Sequence, residues 1–386
     1  MKILFIQCFD KPGGQSNRSY LFAQELTNLG YQVTYFTNRY NHLDIHKSSK
    51  EDMLLDNDVN IIYLNNKLFR NNKFLNVFFN SLYLIKILRK NKFNFIIGPS
   101  VPLINSLFAI IFKNKKTKFI YEIRDVWPDA LYFNKIISKY NPIYFILKFS
   151  EILIYKYSDG LISSLTNTES YVKKYNEKLT QIYLPNAYNC NPSYKKTFNK
   201  NLLKIVYVGR FNADHDLEII LQSAKFLLNL NYKDIIFDLY GYGNKLNTLI
   251  EYKNINNLNN INFKGSVDKN EIFELLKNYD LALCTINNSK AYNWGLNLNK
   301  IYEYFNSGMP VIFSGKAPYN PVKMANCGFV SETFNYIDLS KLILKFKNLS
   351  YSQKNKLSNN AKIFFDNNYD IKILIKKLDI FLKNIH

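Results

Sequence analysis

The chain has 386 residues, 47% of them hydrophobic, with 51 Lys and Arg against 30 Asp and Glu, a formal charge of +21. That is ample apolar material for two domain cores, and the charge calls for an anionic partner: a phosphate-bearing small molecule, an acidic membrane surface or nucleic acid. The lysines are spread along the whole chain without a zinc-finger or RNA-binding signature, which disfavours a dedicated nucleic-acid binder.

Four cysteines (Cys8, Cys190, Cys284, Cys327) and four histidines (His42, His46, His215, His386) show neither disulfide nor metal spacing, so a reduced cytoplasmic setting is expected. No stretch has the length and purity of a spanning helix, and the N-terminal apolar run soon meets Gln7 and Asp10, as a first strand does and a signal peptide does not.

In chain order, residues 1–9 predict a strand and 11–15 a tight loop with Gly13 and Gly14. Ser16 is a candidate cap for a helix with apolar positions Leu21, Phe22, Leu26 and Leu29, and 32–36 predict a second strand. The double glycine permits close approach of a ligand to backbone N–H groups at a helix N-terminus, although the full dinucleotide fingerprint is absent. A strand is expected over 59–64. The basic-aromatic segment 67–92 that follows is either an ordinary core helix with a lysine face or a membrane-surface patch. Residues 95–98 and 118–122 predict strands on either side of a helix over 103–112. Arg124 and Asp125 then offer a guanidinium for a phosphate and a carboxylate for a sugar hydroxyl, or simply a buried ion pair pinning a loop. A second aromatic helix is expected over 142–157, a strand over 161–165, and a helix from 169 capped by Thr166, Asn167 or Thr168.

Residues 188–202, polar and rich in Asn and Lys, predict a linker, and the pattern restarts at 203–210 with strand, Gly209 and Arg210. A helix is expected from about 216 to 228, with Asp214 and Asp216 read as capping it. Strands are expected over 235–240, 261–265 and 280–284, with Gly241 and Gly243 in the turn after the first. The stretch 294–315 predicts a helix from Asn299 to Asn306, stopped at Gly308 and followed by a buried strand. Lys300 and Glu303 lie three apart on one helical face. Such a carboxylate can accept two hydrogen bonds from a vicinal diol while the lysine meets a phosphate; a surface Glu–Lys pair is the plain alternative. Helices over 338–347 and roughly 352–385 finish the chain.

Several of these stretches, taken in order, resemble GT4-type retaining glycosyltransferases. Residues 300–312 are similar to the family's K-x-x-E-Y-x-x-x-G-x-P-V-I segment. Glu122, Arg124, Asp125, Trp127 and Pro128 resemble the E-x-R-D-x-W-P motif of a subgroup that builds bacterial surface polysaccharides such as O-antigen or capsule, using UDP-activated amino or deoxy sugars. Residues 182–187, 206–210, 241–243, 261–267 and 326–328 match further family segments. Ala187 replaces a usual glycine, and His215 stands where the family has a lysine. The first glutamate of the family's E-x7-E pattern falls on Gly295, whereas residues 294–300 fit the subgroup's Y-G-x-S-P-N-K variant better.

The resemblance implies an α/β chain of GT-B type, two Rossmann-like domains facing across a cleft. Residues 1–187 and the final helix 370–386 would bind acceptor, 188–202 would link, and 203–369 would bind the nucleotide-sugar. It implies retaining transfer of a sugar from a nucleotide donor, with no metal and no cofactor beyond that donor. Arg210 and Lys300 would hold the diphosphate, with His215 supplying one charge fewer than the family's lysine. Glu303 would hold the ribose, Gly209, Gly241 and Gly243 would line the nucleotide, and backbone near Val267 would hold the base. Asn297 would meet the donor sugar. Gly13 and Gly14, with Asn17 or Arg18, would lie at the donor–acceptor junction, and Arg124 or Asp125 would replace a histidine common in the family. Arg210, Lys300, Asp125 and Glu303 are thus the catalytic candidates. The expected acceptor is a polyprenyl-diphosphate-linked saccharide, met at the anionic inner face of the plasma membrane by a peripherally attached protein. A hydrolysing UDP-sugar epimerase, a non-catalytic nucleotide-binding scaffold, a glycogen- or trehalose-type synthase and a nucleic-acid binder are the alternatives.

Overall fold

The computed structural model describes residues 1–7, 10, 18–38, 59–64 and 73–386, the side chains of 73–76 excepted. They form two compact units: residues 1–188 with 371–386, and residues 189–370.

Unit 1 runs β1 (Lys2–Ile6), α1 (Arg18–Asn28), β2 (Gln32–Asn38), β3 (Asn60–Leu64), α2 (Lys73–Lys90), β4 (Phe95–Pro99), α3 (Leu103–Phe112), β5 (Lys118–Ile123), α4 (Asp129–Phe133), α5 (Pro142–Tyr157), β6 (Gly160–Ser163), α6 (Glu169–Val172) and β7 (Gln181–Tyr183). Its seven strands are parallel in the order β3-β2-β1-β4-β5-β6-β7, so the direction of winding reverses between β1 and β4. The inner strands read as continuous apolar runs (Phe-Ile-Ile in β4) because helices cover both faces of a parallel sheet, which leaves little alternation to read.

Unit 2 runs β8 (Leu203–Val208), α7 (Glu218–Asn229), β9 (Ile235–Tyr240), α8 (Leu246–Ile255), β10 (Ile261–Gly265), α9 (Ile272–Leu276), β11 (Leu281–Thr285), α10 (Asn299–Asn306), β12 (Val311–Ser314), α11 (Pro321–Ala325), β13 (Gly328–Ser331), α12 (Tyr336–Lys347) and α13 (Tyr351–Asn368). Its six parallel strands lie in the order β10-β9-β8-β11-β12-β13, with the reversal between β8 and β11. The chain then returns to unit 1 as α14 (Ile371–Ile385). The stripe Ile371, Leu374, Ile375, Leu378, Phe381 and Leu382 buries α14 beside α1, and the Ile371 N–H donates to the Tyr188 carbonyl at 3.1 Å.

The α/β class expected from sequence is what the structure has, and several local expectations need correcting. The helix expected over 352–385 is two, α13 and α14, broken at Tyr369 and Asp370. The Cys327-Gly328 stretch leads into edge strand β13, and α8 and α11 were not anticipated. The stretch expected as a linker, 188–202, is packed onto unit 2 from residue 189 on. Lys196 is buried with its Nζ donating to the Leu276 carbonyl at 2.7 Å, burial pulling its ammonium down to about 7, and Phe198 joins the core of unit 2. Thr168 does precede α6, but its side chain makes no cap hydrogen bond. Gly13, Gly14, Ser16 and Asn17 lie outside the described residues.

Candidate functional site

In open parallel α/β sheets the crevice at the carboxyl ends of the strands, where winding reverses, is where ligands settle. In unit 2 that place lies beyond Val208 and Thr285, and most of the candidate side chains gather there. Lys300, in the first turn of α10, is buried, with 6% of its surface exposed. Its Nζ donates to the Tyr207 hydroxyl at 2.7 Å and lies 4.3 Å from the centre of that ring. One turn on, Tyr304 accepts the Val208 N–H at 2.8 Å, so the i, i+4 pair Lys300 and Tyr304 fixes α10 against the end of β8. Burial pulls the Lys300 ammonium down to about 8, opposed by Cys284, Asp214 and Glu303.

Glu303 is half-buried on the same helix, and among the described residues its carboxylate makes no hydrogen bond or ion pair. Burial raises its pKa against the pull of Lys269 and Lys300. Arg210 is exposed just past Gly209, likewise with no hydrogen bond or ion pair from its guanidinium among the described residues. Leu298 precedes α10 without a side-chain cap, and its carbonyl accepts the Ile301 N–H at 3.0 Å, so the positive end of the helix dipole faces this crevice. An anion drawn to this end meets a dipole, one buried cation and one exposed cation, with a carboxylate a turn further along the helix.

His215 ends a one-turn 3₁₀ helix, Ala213–His215, and is buried with Nδ1 unpartnered. Burial, then Lys300 and Arg210, depresses its imidazole to about 4, so it is neutral at physiological pH. It brings hydrogen bonding rather than charge. The expectation that Asp214 and Asp216 cap α7 is not met. That helix begins at Glu218, Leu217 precedes it without a side-chain cap, and Asp216 takes a left-handed φ of 41°. The loop after β11 holds this turn in place: the Asn287 N–H donates to the Asp214 carbonyl at 3.0 Å, the Tyr292 hydroxyl to the same carbonyl at 3.2 Å, and Thr285 Oγ1 to the His215 carbonyl.

The glycines have a steric reason. A Cβ on Gly241 would stand 1.7 Å from the Gly209 carbonyl oxygen, and one on Gly243 would stand 2.4 Å from that of Phe211. The loops after β8 and β9 therefore lie directly on one another, joined by Phe211 N–H to Tyr242 O at 2.8 Å. Gly241→Ala is expected to destabilise unit 2 by about 2 kcal/mol or more, because φ there is 144° and the contact is with backbone; thermal melting of the variant checks it. Gly295 has a φ of 125°, a backbone in which a glutamate side chain would be strained. Asn297 and Val267 are half-buried in the loops after β11 and β10.

Asp125 belongs to unit 1 and is exposed after β5. Of the two readings of Arg124 and Asp125, the buried ion pair between them is not what the structure contains. Arg124 Nη2 lies 2.9 Å from Asp10 Oδ2 and 3.5 Å from Glu122 Oε2; Glu122 stands near the carboxyl end of β5, and Asp10 follows β1, two strands away in the same sheet. Arg18 is buried against Glu122 and donates to the Leu184 carbonyl at 2.6 Å. Asp10 also accepts the Ser19 N–H at 3.0 Å in the first turn of α1, where Ser16 was expected to act. The sequence signal for this network was the polar pair Gln7 and Asp10 after the apolar first strand. For Tyr207 it was a tyrosine inside the otherwise apolar run 205–208.

The family model described as glycosyl transferases group 1 matches residues 193–382. No curated protein matches the sequence. Among solved structures, the chain is similar to sucrose-phosphate synthase from Thermosynechococcus elongatus at 12% identity and a TM-score of 0.75, covering 100% of this chain and 98% of that one. It is similar to Anabaena HepE in complex with UDP-glucose at 14% and 0.71, with full coverage of both. It is also similar to WaaG, a glycosyltransferase involved in lipopolysaccharide biosynthesis, at 14% and 0.68, covering 98% and 99%. At these identities the likeness is one of fold.

Proposed function

We propose that the protein transfers a sugar with retention from a UDP-sugar to a lipid-linked saccharide, a reading supported by the match of residues 193–382 to the group 1 glycosyltransferase model within an α/β chain of two parallel sheets. The observation that carries this is the uncapped start of α10, with buried Lys300, half-buried Glu303 and exposed Arg210 around the winding reversal of unit 2. Arg210, Lys300 and the helix N–H groups bind the donor's diphosphate, neutral His215 donates a hydrogen bond to it, and Glu303 accepts from the ribose diol. Backbone near Val267 meets the base, Asn297 meets the sugar, and Gly209, Gly241 and Gly243 let backbone approach the nucleotide. In the transfer the bond from the anomeric carbon to the diphosphate oxygen breaks while the acceptor oxygen bonds to the same face of that carbon. The acceptor's proton passes to the departing diphosphate, whose charge Lys300 and Arg210 stabilise. Asp125 and the Gly13-Gly14 loop contact the acceptor. The donor is a UDP-linked amino or deoxy sugar, the product a surface-polysaccharide precursor such as one for O-antigen or capsule. The protein works attached peripherally to the anionic inner face of the plasma membrane.

The test is nucleotide release from a panel of UDP-sugars with and without extracted polyprenyl-linked saccharides. Release only with acceptor supports transfer. Release without acceptor marks an epimerase-type reaction, and no release with any donor contradicts the proposal. Glu303→Ala is expected to weaken UDP binding by about 10-fold to 100-fold, the worth of hydrogen bonds to a charged group. Against 2′-deoxy-UDP the loss is smaller, and calorimetric titration of both ligands reads the difference.

A further inference from the structure

Helix α5 is inside out. Tyr144, Lys148, Glu151 and Tyr155 form its inward face. The Tyr144 hydroxyl donates to Asp129 at 2.6 Å, Lys148 Nζ lies 2.7 Å from Glu151, and the Tyr155 hydroxyl donates to Glu151 at 3.0 Å. Tyr171 joins the same network through Asp129 and Glu151. The outward face carries Ile143, Phe145, Ile146 and Phe149, each more than half exposed, with Ile146 at 65% and Phe149 at 63%. The helix cannot roll to bury them without breaking the buried polar network, so the apolar face is held outward.

α5 packs beside α3, and α3 beside α2, in one layer. α2 continues the theme with exposed Phe78, Phe79, Leu82 and Tyr83, and its far end turns basic with Lys86, Arg89 and Lys90. Among the described residues Leu82, Ile85 and those three cations line a surface groove of about 460 Å³. Ahead of α5, exposed Ile136 and Tyr140 alternate with exposed Lys135 and Lys139. Single exposed apolar residues are ordinary, but a layer of them bordered by cations is not.

We propose that the outer face of the α2–α3–α5 layer docks on an anionic lipid bilayer, its aromatic and aliphatic side chains entering the interface and Lys86, Arg89, Lys90 and Lys139 meeting headgroup phosphates. Charge selects this occupant over a second copy: the cations border the apolar face, and two such faces would repel. The inference deepens the peripheral attachment proposed above by naming the surface, and the exposed residues carry it whatever sugar is transferred. Among the described residues no helix is long and apolar enough to cross a membrane, so this face lies on the bilayer rather than through it.

The experiment is flotation of the full chain with vesicles of phosphatidylcholine alone or with phosphatidylglycerol, alongside Ile146→Ser/Phe149→Ser and Arg89→Glu/Lys90→Glu variants. Wild type is expected to float with the anionic vesicles. The first variant loses about 10-fold or more in partitioning, and the second loses the preference for anionic lipid. Both variants replace exposed side chains and should retain wild-type melting and UDP affinity. Undiminished flotation of the first variant, failure of wild type to float, or a wild-type dimer that this variant dissolves would each overturn the proposal. Loss of UDP binding with flotation intact would fault the donor assignment instead.

Discussion

Replacing Lys300 by alanine is expected to lower kcat/KM about 100-fold to 1000-fold, the usual cost of removing one pre-positioned group that stabilises developing charge. The residue is fixed by Tyr207 and by the turn of α10, so a ligand diphosphate would meet a cation already oriented. A pH signature accompanies the loss. Burial leaves the folded ammonium titrating near 8, whereas an unfolded lysine keeps its proton to about 10.4. UDP affinity of the wild type should therefore be flat below pH 8 and fall above it, and Lys300→Ala should lack that step. Stability runs the other way: between pH 8 and about 10.4 the unfolded chain holds the extra proton, so folding gains from the lysine's deprotonation as pH rises through that window. The wild-type-minus-variant difference in urea unfolding isolates the effect. A variant with near-normal turnover would remove Lys300 from the chemistry.

The second large effect lies in unit 1. Glu122 is 2% exposed and serves Arg18, Arg124, Gln7 and Ser19 at once. Glu122→Leu leaves two guanidinium groups without this carboxylate, one of them buried, and is expected to cost about 3–5 kcal/mol. The cost should appear as a lower midpoint for the unfolding of unit 1, with unit 2 and its affinity for UDP little changed. A loss below about 1 kcal/mol would mean that Asp10 and the Leu184 carbonyl suffice for both arginines.

The strands and most helices were legible because long apolar runs and 3.6-residue stripes report burial directly. Helices α3, α5 and α10 have the bounds their patterns suggested. α8 escaped because Asn247, Glu251, Lys253 and Asn254 leave a weak stripe, with Leu249 its one fully buried apolar side chain. The break at Tyr369 escaped because no glycine or proline marks it. In the site, Lys300 and Glu303 could be paired from helical spacing, and Arg210 from its position after a strand and glycine. The partners of Arg124 could not, since Asp10 and Glu122 meet only when β1 and β5 are laid into one sheet. Likewise the inward polar face of α5 looks like an ordinary amphipathic pattern until tertiary packing shows which side is covered.

Titration of UDP, GDP, ADP and CMP into the purified chain by calorimetry tests the central claim most directly. One-site binding of UDP in preference to the others, weakened about 100-fold or more in Lys300→Ala, is the predicted result. No binding of any nucleotide by a folded wild-type protein, or equal UDP affinity in the variant, would contradict the assignment of the crevice at β8, β11 and α10 as the donor site.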